Sequence, residues 1–234
     1  MRVMIGFDPA EEEAAAVAWT SFRDVSIRNT VEFLRQDDLR ARGLYTRVED
    51  ARGQRYDLTS RSTCSTEFSN SRFLAPILEL TRWVLFTDCD VLFLEDPARM
   101  LNEIEPGKAV YVVKRQHAGT EPSKMMGMAQ TQYPRKNWSS VMLFDCSHPA
   151  NRRLSLWDVN NRPGRDLHAF YWLHDSEIGD LDRRWNQLIG VDENIRTDRG
   201  ILHFSLGGPW FENWEPQPHD DLWLDAAKRL GVRS

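Results

Sequence analysis

The sequence predicts an α/β fold, a single domain with a mostly parallel, mixed central sheet flanked by helices. Two observations lead to this prediction. The chain opens with an apolar run, an Asp-Pro turn and an Ala-rich segment, which is the order strand, turn, helix. Further on, the apolar run Trp83–Phe86 leads into two aspartates, Asp88 and Asp90, and a second apolar run follows. Short apolar runs that alternate with helical segments are typical of buried, largely parallel strands.

The composition is that of an ordinary globular protein, with 41% hydrophobic and 28% charged residues among 234. A net charge of −5 argues against nucleic acid as the partner, because a phosphate backbone requires a basic surface. The three cysteines are widely spaced, which indicates reduced thiols and a cytoplasmic location. We expect neither a signal peptide nor a transmembrane segment.

The first strand is predicted over Arg2–Phe7 and the first helix over Ala10–Ile27. Asp8 is a suitable N-cap, and Pro9 fits the first helical position, where its missing N–H is not needed. The sequence contains neither G-x-G-x-x-G nor a Gly-Lys-Ser/Thr motif. A dinucleotide fingerprint and a P-loop are therefore not indicated.

The remaining elements follow from periodicity and turn residues. Strands are predicted at Thr30–Leu34, Trp83–Thr87, Ala109–Val113, Ser140–Asp145 and Ile201–Ser205. Helices are predicted at Asp38–Gly43, Glu67–Leu80, Glu95–Ile104, His148–Val159, Asp166–Leu173 and Asp220–Gly231. The polar segment 49–65 is predicted to be a loop, and 114–136 a substrate loop because of its length. Arg72, on the helix before the central strand, is expected from the pattern alone to form a surface salt bridge.

The central stretch contains the first candidate site. Asp88 and Asp90 are two residues apart, so in an extended chain they project from one face at the carboxyl end of the strand. Open α/β sheets bind ligands at that end. Two close carboxylates repel each other unless a cation lies between them, and oxygen ligands suit Mg²⁺, Mn²⁺ or Ca²⁺. The alternative is that both aspartates cap a turn after the strand.

A second group of candidate residues lies near the end of the chain. His203 is on a predicted strand, and Gly207 and Gly208 follow it closely. Glycines after a strand allow backbone N–H groups to approach phosphate oxygens. The alternative for His203 is a hydrogen-bonded core residue. One histidine and two aspartates around a divalent ion, beside a phosphate, would suit the departure of a nucleoside diphosphate from a sugar.

Several segments, in order along residues 1–214, resemble the motifs of a GT-A (Rossmann-like) glycosyltransferase of the family 8 type, the group that includes glycogenin and bacterial lipopolysaccharide galactosyltransferases. Phe86–Phe93 resembles the family's D-x-D strand, and Ser71–Pro76 the segment before it. Trp138–Phe144 resembles the strand beneath the donor sugar. The other matching segments are Asp175–Glu177 (the D-Q-D segment), Trp185-Asn186 (the Trp-Asn pair) and His203–Trp210 (the closing motif).

The resemblance implies a retaining hexosyltransferase with Mn²⁺, or Mg²⁺, and a UDP-sugar donor, UDP-glucose or UDP-galactose. It divides the chain into a nucleotide-binding half (1–90), an acceptor and sugar half (91–215) and a C-terminal helix (216–234). It implies the following roles for residues of this chain: metal binding by Asp88, Asp90 and His203; donor binding by Phe7, Asp8, Arg72, Ser139, Ser140, Gly207 and Gly208; catalysis near the anomeric carbon by Asp175 and Glu177. The acceptor, whether a saccharide, a lipid-linked group or a protein, is left open.

Four positions depart from the family pattern. Gly208 stands where the family has the lysine that pairs with the diphosphate, and Lys114, Lys124 or Arg135 are the candidate substitutes. Trp138 and Ser140 replace the Asn and Gly of the sugar-binding strand, and Ser176 replaces the middle Gln. These departures favour one alternative function, a non-catalytic nucleotide- or glycan-binding module. A sugar nucleotidyltransferase is less favoured, because the turn after the first strand is acidic and not a Gly-rich basic loop.

Overall fold

The computed structural model describes residues 1–50, 54–79, 81–115, 123–124, 128–129, 135 and 138–233. The strands are β1 (Arg2–Gly6), β2 (Thr30–Leu34), β3 (Glu49–Asp50), β4 (Tyr56–Asp57), β5 (Ser62–Thr63), β6 (Trp83–Thr87), β7 (Val91–Phe93), β8 (Val110–Val112), β9 (Ser123–Lys124), β10 (Met128–Ala129), β11 (Val141–Asp145), β12 (Ile178–Asp180), β13 (Gln187–Leu188) and β14 (Ile201–His203). The α-helices are α1 (Glu12–Val25), α2 (Gln36–Ala41), α3 (Ala75–Leu78), α4 (Leu156–Asn161), α5 (Gly164–His168) and α6 (Asp220–Arg229).

The central sheet has six strands in the order β12-β8-β11-β6-β1-β2. Strand β11 is antiparallel to both of its neighbours, and the other neighbouring pairs are parallel. The predicted mostly parallel, mixed sheet is therefore confirmed. The chain passes from β1 to β2 on one side and then to β6 on the other side of β1. The carboxyl ends of β1 and β6 consequently form a topological switch point, where α/β sheets bind ligands.

A smaller three-stranded sheet, β13-β14-β7, begins where the central strand ends. Strand β7 follows Asp90 directly and pairs antiparallel with β14, with His203 opposite Val91. The backbone N–H of Phe204 donates to the carbonyl of Asp90 at 2.9 Å. This pairing brings the C-terminal part of the chain to the carboxyl end of β6.

The N-terminal elements follow from local chemistry. The Asp8 side chain accepts a hydrogen bond from the N–H of Ala10, and Pro9 begins a 3-10 turn (Pro9–Glu11) that leads into α1. Three of the six buried residues of α1 are alanines, whose small side chains let the helix lie close to the sheet. Its Ser21 hydroxyl accepts a hydrogen bond from the Phe93 N–H at 3.2 Å, which ties α1 to β7. No helix in the described ranges is both long and apolar enough to cross a membrane.

Two predictions in the first half of the chain are wrong. The predicted loop 49–65 contains a small antiparallel sheet, β3-β4-β5, on its described residues. The predicted helix at 67–80 is a 3-10 turn (Ser71–Leu74) followed by one helical turn, α3. Pro76 lies at the start of α3, because proline cannot donate a hydrogen bond in a helix interior. Upstream, the N–H of Glu67 donates to the Asp8 carboxylate at 2.8 Å, which ties this segment to the end of β1.

The predicted helices of the second half are shorter than expected. Two of them begin with a 3-10 turn whose first residue is a proline, at Pro97–Asn102 and Pro149–Arg153. Only the second turn is followed by an α-helix, α4. The helix predicted at 166–173 is α5, which ends before Phe170 because that residue has a positive φ of 52°. Strands β12 and β13 are too short to show a periodic pattern. Most of the predicted substrate loop 114–136 lies outside the described residues.

Candidate functional site

Three side chains that the sequence singles out converge at the carboxyl end of β6. One ligand atom from each of Asp88, Asp90 and His203 lies within 4.8 Å of the others. The Nε2 atom of His203 is 3.1 Å from Oδ1 of Asp90. The side chains are 13%, 14% and 2% exposed, respectively, so water competes little for them. The structure thus joins two residues from the middle of the chain with one from its end.

The hydrogen bonds around His203 fix its tautomer. Its Nδ1 lies 2.8 Å from Oδ1 of Asn186, and the Asn186 Nδ2 donates to the Ser140 hydroxyl at 2.9 Å. Because the amide nitrogen donates to Ser140, its oxygen accepts from His203, and the proton is on Nδ1. The Nε2 lone pair therefore points toward the aspartates. This atom is buried and makes no hydrogen bond within the described structure, although Asp90 lies close to it.

These observations fit a divalent cation. A nitrogen lone pair and a carboxylate oxygen repel each other at 3.1 Å unless a positive charge lies between them. Neighbouring ligands in an octahedral shell with bonds of about 2.1 Å lie roughly 3 Å apart, which matches this distance. Two carboxylates and an imidazole suit Mn²⁺ better than Mg²⁺, which prefers oxygen alone. Burial raises the pKa of the Cys89 thiol well above its usual range, and the group of converging ligand atoms consists of Asp88, Asp90 and His203.

Arg72 holds Asp88 in place. Its guanidinium donates to Oδ1 of Asp88 at 2.7 Å and to the carbonyl of Ser139 at 2.9 Å. The cation lies near two aromatic rings, 5.1 Å from the centroid of Phe68 and 5.2 Å from that of Phe86. The residue is 5% exposed, so the expected surface salt bridge is wrong. Arg72 is a buried partner of the first aspartate.

Ser139 and Ser140, expected beneath the donor sugar, lie beside the site but use their hydroxyls within the protein. The Ser139 hydroxyl is 2.7 Å from Nδ1 of His168. Burial and the nearby charge of Arg72 lower the pKa of His168 well below its usual range, so this hydrogen bond joins the serine to a neutral ring. The Ser140 hydroxyl accepts from Asn186, and the Ser140 carbonyl accepts from the N–H of Asp88 at 2.9 Å. Both serines therefore position other site residues.

Phe7 and Asp8 lie at the carboxyl end of β1, beside the switch point. Both oxygens of Asp8 accept backbone hydrogen bonds, from Ala10 at 2.9 Å and from Glu67 at 2.8 Å. The Phe7 ring is covered by the guanidinium of Arg35, whose carbon lies 3.6 Å from the ring centroid. Phe7 is consequently only 7% exposed. The structure places both residues at the expected edge but leaves little of the Phe7 ring open for stacking.

The closing Gly-Gly segment explains why a lysine is missing. The N–H of Gly207 donates to the carbonyl of Phe204 at 2.7 Å, so it is used in a turn. A Cβ on Gly208 would lie 2.1 Å from the ring of Trp210. Trp210 packs against Phe204 and Trp223, with ring centroids 6.1 and 5.3 Å away. No side chain fits at position 208 while Trp210 holds this place.

The candidate substitutes for that lysine have other partners. Lys114 forms an ion pair with Asp180 at 3.2 Å. Arg135 donates to the carbonyl of Ala169 and pairs with Asp175. The side chain of Lys124 lies outside the described residues.

The structure does not bring Asp175 and Glu177 to the aspartate–histidine site. The carbonyl of Glu177 accepts from Ala109, whose own carbonyl accepts from Asp145, the residue opposite Trp83. This chain of hydrogen bonds places Glu177 level with the start of β6, whereas Asp88 follows its end. Five residues of strand separate the two levels by about 16 Å. The topology therefore gives no support to the predicted role of this pair at the anomeric carbon.

Sequence reasoning does not reveal the role of Asn186, whose side chain connects His203 to Ser140. The carbonyl of Asn186 also accepts a hydrogen bond from Arg115, a buried arginine that pairs with Asp192. Although burial opposes it, this arginine lowers the pKa of Asp192, which keeps the pair charged. The Trp-Asn motif pointed to this residue, but its contacts depend on the pairing of β13 with β14.

Comparisons with known proteins agree with this architecture. No family model matches the sequence. Protein CDI of Arabidopsis thaliana is 40% identical over 233 residues, which cover 97% of this chain and 86% of that protein. The glycosyltransferase GlyE of Streptococcus pneumoniae TIGR4 gives a TM-score of 0.59 at 12% identity, over 97% of this chain; the chain spans 60% of the length of GlyE.

The galactosyltransferase LgtC, solved with donor and acceptor sugar analogs, gives a TM-score of 0.56 at 15% identity. That match covers 100% of this chain and 98% of LgtC. The α/β fold is thus of the GT-A type, as the sequence resemblance predicts.

Proposed function

The chain belongs to the family of Protein CDI of Arabidopsis thaliana, and we propose that it is a metal-dependent glycosyltransferase. It would move a hexose from a UDP-sugar, UDP-glucose or UDP-galactose, to an acceptor with retention of configuration. One observation carries this proposal. Asp88, Asp90 and His203 meet at the switch point of a GT-A sheet, with a buried Nε2 atom facing the carboxylates. This donor set is suited to a cation that binds a diphosphate.

The residues of this chain would divide the work as follows. Asp88, Asp90 and His203 would hold Mn²⁺, with Mg²⁺ as the second choice. A bound divalent ion neutralises charge that develops on a departing diphosphate. Asn186 would keep the Nε2 lone pair of His203 directed at the ion, and Arg72 would keep Asp88 in position. The low exposure of these side chains strengthens each electrostatic interaction.

The proposed path needs no separate base. When the acceptor attacks from the face that the leaving group departs from, an oxygen of the departing diphosphate takes the acceptor proton. This path needs no carboxylate at the anomeric carbon, and Glu177 lies level with the start of β6, about 16 Å along the strand from Asp88. The task of the protein is then to hold the donor and to stabilise developing charge.

Calorimetric titration with UDP, in the presence of Mn²⁺ or of EDTA, tests the proposal, together with turnover of a panel of nucleotide-sugars. We expect UDP binding that requires Mn²⁺, and release of UDP from at least one UDP-hexose. Unchanged UDP binding in EDTA would contradict the metal assignment. If the chain turned over only sugars linked to nucleotides other than UDP, the proposed donor would be wrong.

A second candidate function, a non-catalytic nucleotide-binding module, is favoured by one observation. Trp210 fills the place that a side chain on Gly208 would need, so the cation of the closing motif cannot be restored there. Such a module would bind UDP and Mn²⁺ as tightly as an enzyme. It would show neither hydrolysis nor transfer with any sugar in the panel, even at high protein concentration and over long incubation.

A further inference from the structure

Arg35 lies at the same edge of the sheet as the metal-ligand candidates. It follows β2 directly, and the N–H of Phe7 donates to the carbonyl of Leu34 at 3.3 Å, so the ends of β1 and β2 are level. Strand β1 separates β2 from β6. Across two strand spacings, the backbone of Arg35 is about 10 Å from that of Asp88. Arg35 is thus beside the switch point but one strand further from the metal site than Phe7.

The guanidinium of Arg35 is held in place without using its hydrogen-bond donors. Its central carbon lies 3.6 Å from the ring centroid of Phe7 and 5.1 Å from that of Phe33. Within the described ranges, no carboxylate or carbonyl accepts a hydrogen bond from it. Two other arginines near the site, Arg72 and Arg115, are buried and differ from Arg35 because both donate hydrogen bonds to carboxylates. Arg35 therefore presents up to five N–H donors on a partly exposed, pre-positioned plane.

We propose that Arg35 binds the nucleobase of the donor and selects bases that present carbonyl oxygens. This inference rests on the proposed function, because it requires a nucleoside diphosphate at the metal site. A nucleotide whose diphosphate lies at Asp88 extends its base along the sheet edge, over β1 and β2 or over β11. On the β11 side, the hydroxyls of Ser139 and Ser140 are already used within the protein. The β1 and β2 side offers the uncommitted guanidinium.

The chemistry of the guanidinium restricts which base it accepts. A guanidinium only donates hydrogen bonds, so it pairs with carbonyl oxygens, as in uracil and guanine. Cytosine and adenine place an amino group, itself a donor, at the corresponding edge. The face of the guanidinium opposite Phe7 can also stack on the base. Arg35 would thereby take over the contact that the sequence assigns to the ring of Phe7.

The test is calorimetric titration of the full chain, saturated with Mn²⁺, with UDP, GDP, CDP, ADP and inorganic pyrophosphate. Arg35→Met keeps an apolar stem over Phe7 and removes the donors. Arg35→Lys keeps the charge but loses the planar donor pair. Arg42→Met is the matched control, because Arg42 is an exposed arginine at the end of α2 and its loss changes the net charge equally. Thermal melting checks that each variant is folded.

We expect the parent chain to bind UDP, GDP or both more tightly than CDP and ADP. The nucleotide that binds most tightly identifies the preferred base. Arg35→Met should weaken the preferred nucleotide at least about tenfold, since hydrogen bonds to a charged group are lost. Binding of pyrophosphate should stay unchanged, and Arg35→Lys should lose the preference between bases. Arg42→Met should behave like the parent chain.

Three results would overturn the inference. An equal loss of pyrophosphate binding in Arg35→Met would assign Arg35 to the phosphates. Preference for CDP or ADP, or identical behaviour of Arg35→Met and Arg42→Met, would remove Arg35 from base recognition. If these results accompany nucleotide binding that Asp90→Asn abolishes, the proposed function stands and this inference alone falls. If the parent chain binds no nucleotide with Mn²⁺, both fall together.

Discussion

Two short segments of this chain carry the same local pattern in different surroundings. Asp88-Cys89-Asp90 and Asp175-Ser176-Glu177 both place two carboxylates two residues apart. The aspartates of the first segment are 13% and 14% exposed and face a buried histidine. In the second, Asp175 is 90% and Glu177 23% exposed, and each pairs with a different arginine, Arg135 or Arg153. The spacing is shared, but only the first pair shares a third ligand.

The difference shows what turns a carboxylate pair into a metal-site candidate. The first segment joins two sheets, because β6 ends before it and β7 begins after it, and β14 delivers His203 to its side. The second precedes an edge strand, β12, and lies level with the start of β6, whereas the first segment follows the end of β6. Around the first pair, one ligand atom from each aspartate and one from His203 lie within 4.8 Å of one another, so a single cation would contact all three. Around the second, each charge is neutralised separately near solvent, which is worth little.

The largest contrast is expected from removing one charge in each segment. Asp90→Asn should weaken Mn²⁺ binding more than about 100-fold, since even outer partners of a metal ligand are worth about 10- to 100-fold. Glu177→Gln should leave the affinity for Mn²⁺ unchanged. Calorimetry with Mn²⁺ measures both. Equal losses in the two variants would mean that the segments form one site, against the topology.

The arginines that neutralise the two segments should differ almost as strongly. Arg72→Met leaves Asp88 without its buried partner, and we expect the free energy of unfolding to fall by about 3 kcal/mol. Arg153→Met removes a partner that is 41% exposed and should change it by less than about 0.5 kcal/mol. Urea denaturation measures both. Added Mn²⁺ should recover part of the loss in Arg72→Met only, and no recovery would argue against a cation at Asp88.

The support behind His203 provides the next contrast. Asn186→Ala removes the acceptor that holds the proton on Nδ1, and we expect Mn²⁺ affinity to fall about 10- to 100-fold. Asn151→Ala is the matched control, a buried asparagine that bonds the carbonyls of Ala109 and Asp145 away from the site. It should lower stability but leave Mn²⁺ affinity as it is. If both variants lose affinity alike, general destabilisation and not the tautomer of His203 is responsible.

Sequence reasoning located the parts of this site that are strong local patterns. Strands β1 and β6, with Asp88 and Asp90 after the second, follow from buried apolar runs bounded by turn residues. His203 was singled out with the glycines that follow it. The contact between His203 and Asp90 depends on the β14–β7 pairing, whose strands are three residues long. A pairing between such short, distant strands has no periodicity to reveal it.

Tertiary contacts also decide what local patterns leave open. Asp175 and Glu177 match a family motif, and their catalytic role stays a prediction, because their place depends on how β12 pairs with β8. The helix expected at 67–80 has suitable periodicity, yet Pro76 allows an α-helix only from Ala75 onward. Arg35 is a single polar residue after an edge strand, and only its contact with Phe7 distinguishes it from a surface residue. Local patterns specify elements, whereas tertiary pairing specifies the site.

Titration of His168 should be visible in the stability of the region around Asp88. Burial and the charge of Arg72 hold the pKa of this histidine well below its usual value near 6.5, so the folded chain keeps it neutral. Below pH 6.5 the unfolded chain takes up a proton that the folded chain does not, and stability falls by up to about 1.4 kcal/mol per pH unit. Urea denaturation between pH 7.5 and 5 measures the slope, which should be smaller in His168→Gln. An identical slope would assign it to other groups.

The smallest effect should come from the ion pair of the other segment. The hydrogen bond from Arg153 lowers the pKa of Glu177, with burial opposing it only weakly. A lowered carboxyl pKa contributes stability above the unfolded value near pH 4.3, and the contribution is lost as the pH falls through the folded value. Glu177→Gln should therefore cost less than about 0.5 kcal/mol at pH 7, and the cost should shrink as the pH falls through the folded pKa. A loss several times larger, or one that does not change with pH, would show that Glu177 is tied to more of the structure than Arg153 and the N–H of His174. The two segments would then differ in their place in the fold but not in how much their carboxylates contribute to the free energy of unfolding.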